Sequence, residues 1–334
     1  MKKVLVVKTS SMGDIIHTLP ALTDAARAIP GVQFDWVVEE NFTEVPSWHP
    51  SVNQVIPVAI RRWRKNIWST LKSGEWSDYK QRLQTEKYDA VIDAQGLLKS
   101  AVLVTRLANG PSFGLDKDSA KEPLAARFYD TSISVPKQQH AVERVRQLFA
   151  QALGYNLSDE RGDFNIRQHF LKQTHREAPY LVFQHSTTRF DKHWPETYWQ
   201  ALIKLAGDAG WKIKLPWGSE PEQQRAQRLA KAHENAEVLP RLPLAEIASI
   251  LTGANACVSV DTGLSHLAAA LDTPNVILFG PTDPGLVGGY GKDQTCLQAS
   301  VCPANQNDVE PAIFAPLTPE IVWDTLSSQI SLTS

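Results

Sequence analysis

Val258-Ser259-Val260-Asp261-Thr262-Gly263-Leu264-Ser265-His266, running on into Leu267-Ala268-Ala269-Ala270-Leu271, is the stretch on which the architecture turns. Ala256 to Val260 is short and mostly apolar, which predicts a buried strand. Thr262, Gly263 and Ser265 break the run, and the Ala/Leu-rich residues after them predict a helix. A helix that opens directly after a strand presents free backbone N–H groups and a positive dipole end, a setting suited to phosphate. Gly263 lets the backbone approach a ligand closely. Asp261 falls at the carboxyl end of the strand, where open α/β sheets bind ligands. An N-cap role for Asp261 or Thr262 accounts for the same local pattern.

Working outward, the alternation continues on both sides. Upstream lie strands at Tyr180 to Gln184, Lys212 to Leu215 and Glu237 to Leu239, with helices at Glu220 to His233 and Leu244 to Leu251. Pro195 suits the first turn of another helix. Downstream, Asn275 to Phe279 reads as a strand that ends in Gly280-Pro281-Thr282-Asp283-Pro284-Gly285, and a last helix covers about Pro319 to Gln329. The N-terminal half repeats the scheme, with strands at Val4 to Lys8, Gln33 to Val38, Gln54 to Val58 and Tyr88 to Asp93. Its first helix runs from about Ile15 to Ala28, with Pro20 kinking or restarting it. A second helix follows Ala94-Gln95-Gly96 through Leu107, and a third covers His140 to Leu153, capped by Gly154. Gly110 to Gly114 reads as a turn, and Gly288-Gly289-Tyr290-Gly291 as a loop. Strands separated by helices imply parallel sheets covered on both faces. The polar stretch Tyr155 to Pro179 reads as a link. The expected fold is therefore α/β, with two Rossmann-like domains facing each other across a cleft, a natural ligand site.

Length and composition fit this reading, since 334 residues suffice for two ordinary domains. A net charge of −2 carries no global nucleic-acid signature, so no nucleic-acid partner is expected and any basic site is local. Three cysteines, Cys257, Cys296 and Cys302, without a C-x-x-C pair, argue against a disulfide framework or zinc ribbon. Lys8 cuts the N-terminal apolar run too short for a signal peptide, and no run approaches the ~20 residues of a membrane span. A cytoplasmic protein is the expectation. There is no G-x-x-x-x-G-K-[ST], no strand-linked G-x-G-x-x-G, and no His/Cys/Asp cluster with metal-ligand spacing, so neither a cofactor nor a metal is expected.

Three loops carry the chemistry. They are Lys8-Thr9-Ser10-Ser11-Met12-Gly13-Asp14 with His17 and Pro20; Ser186-Thr187-Thr188-Arg189-Phe190-Asp191-Lys192-His193-Trp194-Pro195; and Asp261-Thr262-Gly263-Leu264-Ser265-His266. With Gly280-Pro281-Thr282-Asp283-Pro284, the set resembles the lipopolysaccharide heptosyltransferases, glycosyltransferases of the GT-B fold, over nearly the whole chain. Val58-Ala59-Ile60-Arg61-Arg62-Trp63-Arg64-Lys65 and Asp93-Ala94-Gln95-Gly96-Leu97 narrow the match to the branch that adds the first heptose to the Kdo region of a lipid A precursor.

The resemblance implies an inverting transfer from ADP-heptose to Kdo-lipid A. It implies an acceptor-binding domain over residues 1–160, a nucleotide-sugar domain over 161–315, and a terminal helix over 316–334 packing back on the first domain. Asp14 matches the family's general base, a carboxylate that accepts the proton of the attacking hydroxyl; capping of the helix from Ile15 is the competing role. Lys192 matches the donor-phosphate lysine, placed where charge grows on the departing diphosphate. Thr187 and Thr188 would add hydroxyl donors. Thr262 and Gly263 would offer N–H groups to phosphate, and Asp261 would bind sugar or loop hydroxyls rather than phosphate. His266, Glu222 at the ribose and Leu242 at the adenine complete the implied donor site. Arg61, Arg62, Arg64 and Lys65 would grip acceptor phosphates and carboxylates, with Lys99, Lys121 and His140 beside them. The same basic loop would draw the enzyme to an anionic membrane surface, as a peripheral protein on the cytoplasmic face of the inner membrane. Two other readings use the same elements: a nucleotide-sugar epimerase or hydrolase, and a non-catalytic nucleotide-binding protein.

Overall fold

The computed structural model describes residues 2–171, 178–299 and 311–333; Cys302 and part of the expected link lie outside them. Twelve strands occur among the described residues: β1 Lys3–Val7, β2 Gln33–Glu39, β3 Val52–Val58, β4 Ala90–Asp93, β5 Ser112–Leu115, β6 Thr131–Ile133, β7 Tyr180–Gln184, β8 Lys212–Leu215, β9 Ala236–Val238, β10 Ala256–Val260, β11 Asn275–Phe279 and β12 Gln294–Gln298. They form two six-stranded sheets, ordered β3-β2-β1-β4-β5-β6 and β12-β11-β10-β7-β8-β9. Every neighbouring pair is parallel. Numbered within its own unit, each sheet reads 3-2-1-4-5-6, the doubly wound order of nucleotide-binding folds. Contacts divide the chain into two units, Met1–Ile166 and Arg167–Ser334.

The central strands are apolar without alternation because helices cover both faces. Val4, Leu5, Val6 and Val7 are fully buried, as are Ala256, Cys257, Val258 and Val260. In the first unit the chain is helical over Met12–Ile16, breaks at His17-Thr18, and restarts over Leu19–Ala28 with Pro20 in the new first turn. Proline there loses no hydrogen bond, whereas inside one continuous helix it would clash with the preceding turn. The helix Ala141–Leu153 ends on Gly154, whose φ of 75° is the left-handed cap conformation. The terminal helix Pro319–Thr333 buries Val322, Leu326 and Ile330 in the core of the second unit.

One local expectation is corrected. Gly110 to Gly114 is not simply a turn, because Ser112–Leu115 is strand β5. Gly114 is there for space: a Cβ on it would lie 2.2 Å from the Tyr129 ring. The edge strands β6 and β12 were not anticipated; β6 has only three residues, and neither has the apolar run of the central strands.

Candidate functional site

In a sheet of this order, the first and fourth strands carry the chain away in opposite directions, and the crevice between their carboxyl ends binds ligands. In the first unit that crevice lies between β1 and β4. Residues 8–11 leave β1 and residues 94–97 leave β4, and side chains tie these loops together. Gln95 Oε1 accepts from the N–H groups of Thr9 (2.9 Å) and Ser10 (3.1 Å). Asp93, fully buried at the end of β4, accepts from the N–H groups of Gln95 and Gly96 and from the hydroxyls of Ser100 and Thr105. Burial still raises its pKa above the ordinary 3.8. It is a structural hub for the loop rather than a free acid.

Asp14 is the third residue of the helix Met12–Ile16, and the N-cap is Ser11. Its Oδ2 accepts from the Ser11 N–H at 2.9 Å and the Ser11 hydroxyl at 3.1 Å. Its Oδ1 lies 3.9 Å from Lys8 Nζ, and the side chain is 47% exposed. The two competing roles are thus divided between the two oxygens: one serves the capping box, the other stays open. Lys8, at the exit of β1, is nearly buried and donates to the Ala94 carbonyl at 2.8 Å. Burial lowers its pKa from 10.5, while Asp14 and Asp93 pull it back up and Arg144 and Lys121 add to the lowering.

The basic stretch forms a short helix, Ile60–Trp63, at the end of β3. Buried Glu39 accepts from the Arg61 N–H at 3.2 Å. Arg62 is spent internally: its guanidinium bonds Glu40 through Nε and Nη2 and Glu75 through Nη1. The Trp63 indole donates to Glu75 at 2.8 Å and packs against Trp76 and Tyr79. Trp63 and Arg62 therefore brace the segment, while Arg61, Arg64 and Lys65 stay exposed.

In the second unit the crevice lies between β7 and β10. Lys192 Nζ donates to Asp261 Oδ2 at 2.5 Å, with the two side chains 17% and 8% exposed. The Thr187 hydroxyl donates to the Asp261 main-chain carbonyl at 3.1 Å. Thr262 is the N-cap of the helix Gly263–Ala270, but its side chain makes no capping bond, so the first turn keeps N–H groups for an anion. Glu222 Oε2 accepts from the N–H groups of Gly218 (2.7 Å) and Ser219 (3.1 Å), capping the helix Glu220–Ala230. Leu242 sits half-buried in the loop after β9.

The heptosyltransferase model of glycosyltransferase family 9 matches residues 76–314, more than half of the chain. The chain belongs to glycosyltransferase family 9. It is 62% identical over 295 residues to lipopolysaccharide heptosyltransferase 1 of Pseudomonas aeruginosa, spanning 88% of this chain and 83% of that one. It is 58% identical over 298 residues to the enzyme of the same name from Escherichia coli (strain K12), spanning 89% and 93%. The solved E. coli heptosyltransferase WaaC with ADP superposes with a TM-score of 0.91 at 54% identity, covering 98% of this chain and 99% of the other. The same enzyme with ADP-2-deoxy-2-fluoro heptose gives 0.88 at 52% identity, covering 99% and 100%. The two sheets are those of a GT-B glycosyltransferase.

On this glycosyltransferase scaffold, the residues singled out in the sequence fall into groups. Asp14 lies at the crevice of the first unit. Thr187, Lys192, Asp261, Thr262 and Gly263 lie together at that of the second. Thr188 is exposed on the same loop, and His266 is buried in the helix Gly263–Ala270. Lys121 is exposed on the segment whose backbone lies against Gly96. His140 caps the helix Ala141–Leu153 and meets His17 edge-on at 5.4 Å. Lys99 is half-buried and near enough to Glu39 to draw its pKa down against burial. Sequence reasoning missed Lys8, which looked like the terminator of an apolar run. It also missed Arg144, which donates to the Ser119 carbonyl while its Nε is buried without a partner. Among the described residues no group of three or more His, Cys, Asp and Glu is placed to hold a metal ion.

Two buried histidines give the fold a pH dependence. His49 accepts from the Ser51 N–H through Nδ1 and meets the Thr23 hydroxyl through Nε2; burial lowers its pKa to about 4. Burial, with Arg225 and His193 alongside, lowers that of His185 to about 3. Below the ordinary 6.5, the unfolded chain binds protons that the folded chain refuses. Stability is therefore full above 6.5 and falls as pH drops toward those values. The expected result is a melting temperature that declines from pH 6.5 to 4.5, with a shallower decline in His49→Gln. An unchanged slope in that variant would take His49 out of the account.

Proposed function

We propose that the chain transfers a heptosyl group from ADP-heptose to the Kdo region of Kdo-lipid A, with inversion at the anomeric carbon. The observation that carries this reading is the pair of equivalent crevices. The first holds an open carboxylate oxygen, and the second holds an ammonium beside uncapped helix N–H groups. One is equipped to take a proton, the other to receive a diphosphate. The first unit takes the acceptor role and the second the donor role. The acceptor hydroxyl gives its proton to Asp14 Oδ1 as its oxygen bonds to the anomeric carbon. The bond from that carbon to the diphosphate oxygen breaks, and its electron pair leaves with ADP. Lys192, the hydroxyl of Thr188, that of Thr187 once it turns away from the Asp261 carbonyl, and the N–H groups of Thr262 and Gly263 stabilise the growing charge. Glu222 keeps Oε1 for the ribose while Oε2 holds its cap, and Leu242 lies toward the base.

Arg61, Arg64 and Lys65 serve the acidic acceptor and, with it, an anionic membrane surface. Trp68, 78% exposed just beyond them, supplies the apolar element that such a surface accommodates. On this reading the protein works as a peripheral protein at the cytoplasmic face of the inner membrane. Among the described residues no helix is long and apolar enough to cross a membrane.

Mass spectrometry of the products tests the proposal. With ADP-heptose and Kdo-lipid A, the expected product is the acceptor plus one heptosyl residue, with ADP released. Consumption of ADP-heptose at the same rate without acceptor would favour the hydrolase reading. Arg61→Ala with Arg64→Ala should raise the acceptor KM about 10-fold, the scale of lost charge-assisted hydrogen bonds. The donor KM should stay within about 2-fold, because the donor crevice belongs to the other unit. An unchanged acceptor KM would return these arginines to solvent.

A further inference from the structure

Lys8 has a feature that its bond to Ala94 does not explain. Its ammonium carries three donors, and among the described residues two partners are placed around it: the Ala94 carbonyl at 2.8 Å and Asp14 Oδ1 at 3.9 Å. The second distance is too long for a hydrogen bond. It is the right length for an oxygen to fit between the two groups. An atom about 2.9 Å from the ammonium and about 2.7 Å from the carboxylate closes that triangle, with an angle of about 90° at the atom. A hydroxyl has one proton to give and two lone pairs. Placed there, it donates to Asp14, accepts from Lys8, and keeps one lone pair free.

We propose that Lys8 is a second catalytic residue on the acceptor side, donating a hydrogen bond to the attacking hydroxyl oxygen while Asp14 takes its proton. This rests on the reading of Asp14 as the base. The step is balanced: the O–H proton moves to Asp14 Oδ1, the free lone pair forms the bond to the anomeric carbon, and the diphosphate departs with the electron pair of the broken bond. Lys8 remains an ammonium throughout. Its contribution is to stabilise the negative charge that gathers on the oxygen as the proton leaves. Nearly buried, it acts with little competition from solvent. The Ala94 carbonyl fixes where it points, and Asp93 fixes the loop from β4 through the N–H groups of Gln95 and Gly96.

The test couples the protein to the substrate. Lys8→Met keeps the length and removes the donor. Turnover should fall about 100-fold, with ADP affinity, measured by calorimetry, unchanged. Binding of the acceptor and of an analogue lacking the attacking hydroxyl is then compared in both proteins. Wild type should favour the intact acceptor by about 10-fold, and Lys8→Met should lose that preference. An equal preference in the two proteins would overturn the proposal, since Lys8 would then not touch the hydroxyl. If Lys8→Met does not fold, Lys8→Arg carries the test. It keeps the charge but displaces the donor atom, so turnover should still drop more than about 10-fold; wild-type turnover would refute it. Loss of turnover in Asp14→Asn but not in Lys8→Met sinks this inference alone. Retained turnover in Asp14→Asn sinks the reading beneath it.

Discussion

Asp14→Asn is expected to bind ADP-heptose as wild type does and to turn over at least ~100-fold more slowly, the scale of a lost general base. The substitution is chosen for what it leaves intact. One side-chain oxygen remains to accept from the Ser11 N–H and hydroxyl, so the cap of the helix Met12–Ile16 survives. What disappears is the open oxygen facing Lys8 and its ability to hold a proton. Asp14→Ala removes both functions, so the pair of variants separates them. The alanine variant alone should lower the melting temperature, because a lost capping interaction costs about 1 kcal/mol. Both variants should be equally slow. If the asparagine variant turns over normally and the alanine variant does not, Asp14 is a capping residue and the base lies elsewhere.

Much of the fold is legible because the central strands are buried on both faces. Ala256–Val260 ends where its apolar run does, and so does Asn275–Phe279, which begins one polar residue ahead of its own. The break in the first helix follows from Pro20 alone. The edges were harder. β5 contains a glycine that exists to receive Tyr129, fifteen positions onward, and no local pattern records that contact. The site shows the same division. A G-D or D-T-G element is a local signal and places Asp14, Thr262 and Gly263 at strand ends. Pairings across the chain are not local. Arg62 looks as available as Arg61 in sequence, yet Glu40 and Glu75, 22 and 13 residues away, occupy it. Asp261 was expected to meet hydroxyls, and only the structure reveals that its carboxylate meets Lys192, 69 positions upstream. Lys8 was hidden because a lysine after four apolar residues reads as the end of a strand. Its reach to Ala94 and Asp14 depends on β4 lying next to β1.

Lys192→Met should lower turnover by about 10²- to 10³-fold, as expected for losing a charge that stabilises the leaving diphosphate. It should also destabilise the free protein, for a separate reason. Lys192 and Asp261 are 2.5 Å apart, and Asp261 is 8% exposed. Removing one member of a fully buried pair costs about 3–5 kcal/mol, because the other charge is left uncompensated. Lys192 retains 17% exposure, so the loss here should fall below that range. Adding Asp261→Asn to Lys192→Met removes the stranded charge, and should restore the melting temperature without restoring turnover. Recovery of both would mean that Lys192 acts only through Asp261. The single variant Asp261→Asn probes the remaining link. In the free protein the carboxylate competes with an incoming diphosphate for the ammonium, so removing its charge should tighten ADP binding. A donor that draws Lys192 away also leaves Asp261 in need of a hydrogen-bond donor, which a sugar hydroxyl supplies and ADP does not. Asp261→Asn should therefore narrow the difference in affinity between ADP-heptose and ADP, even as it strengthens the binding of ADP itself.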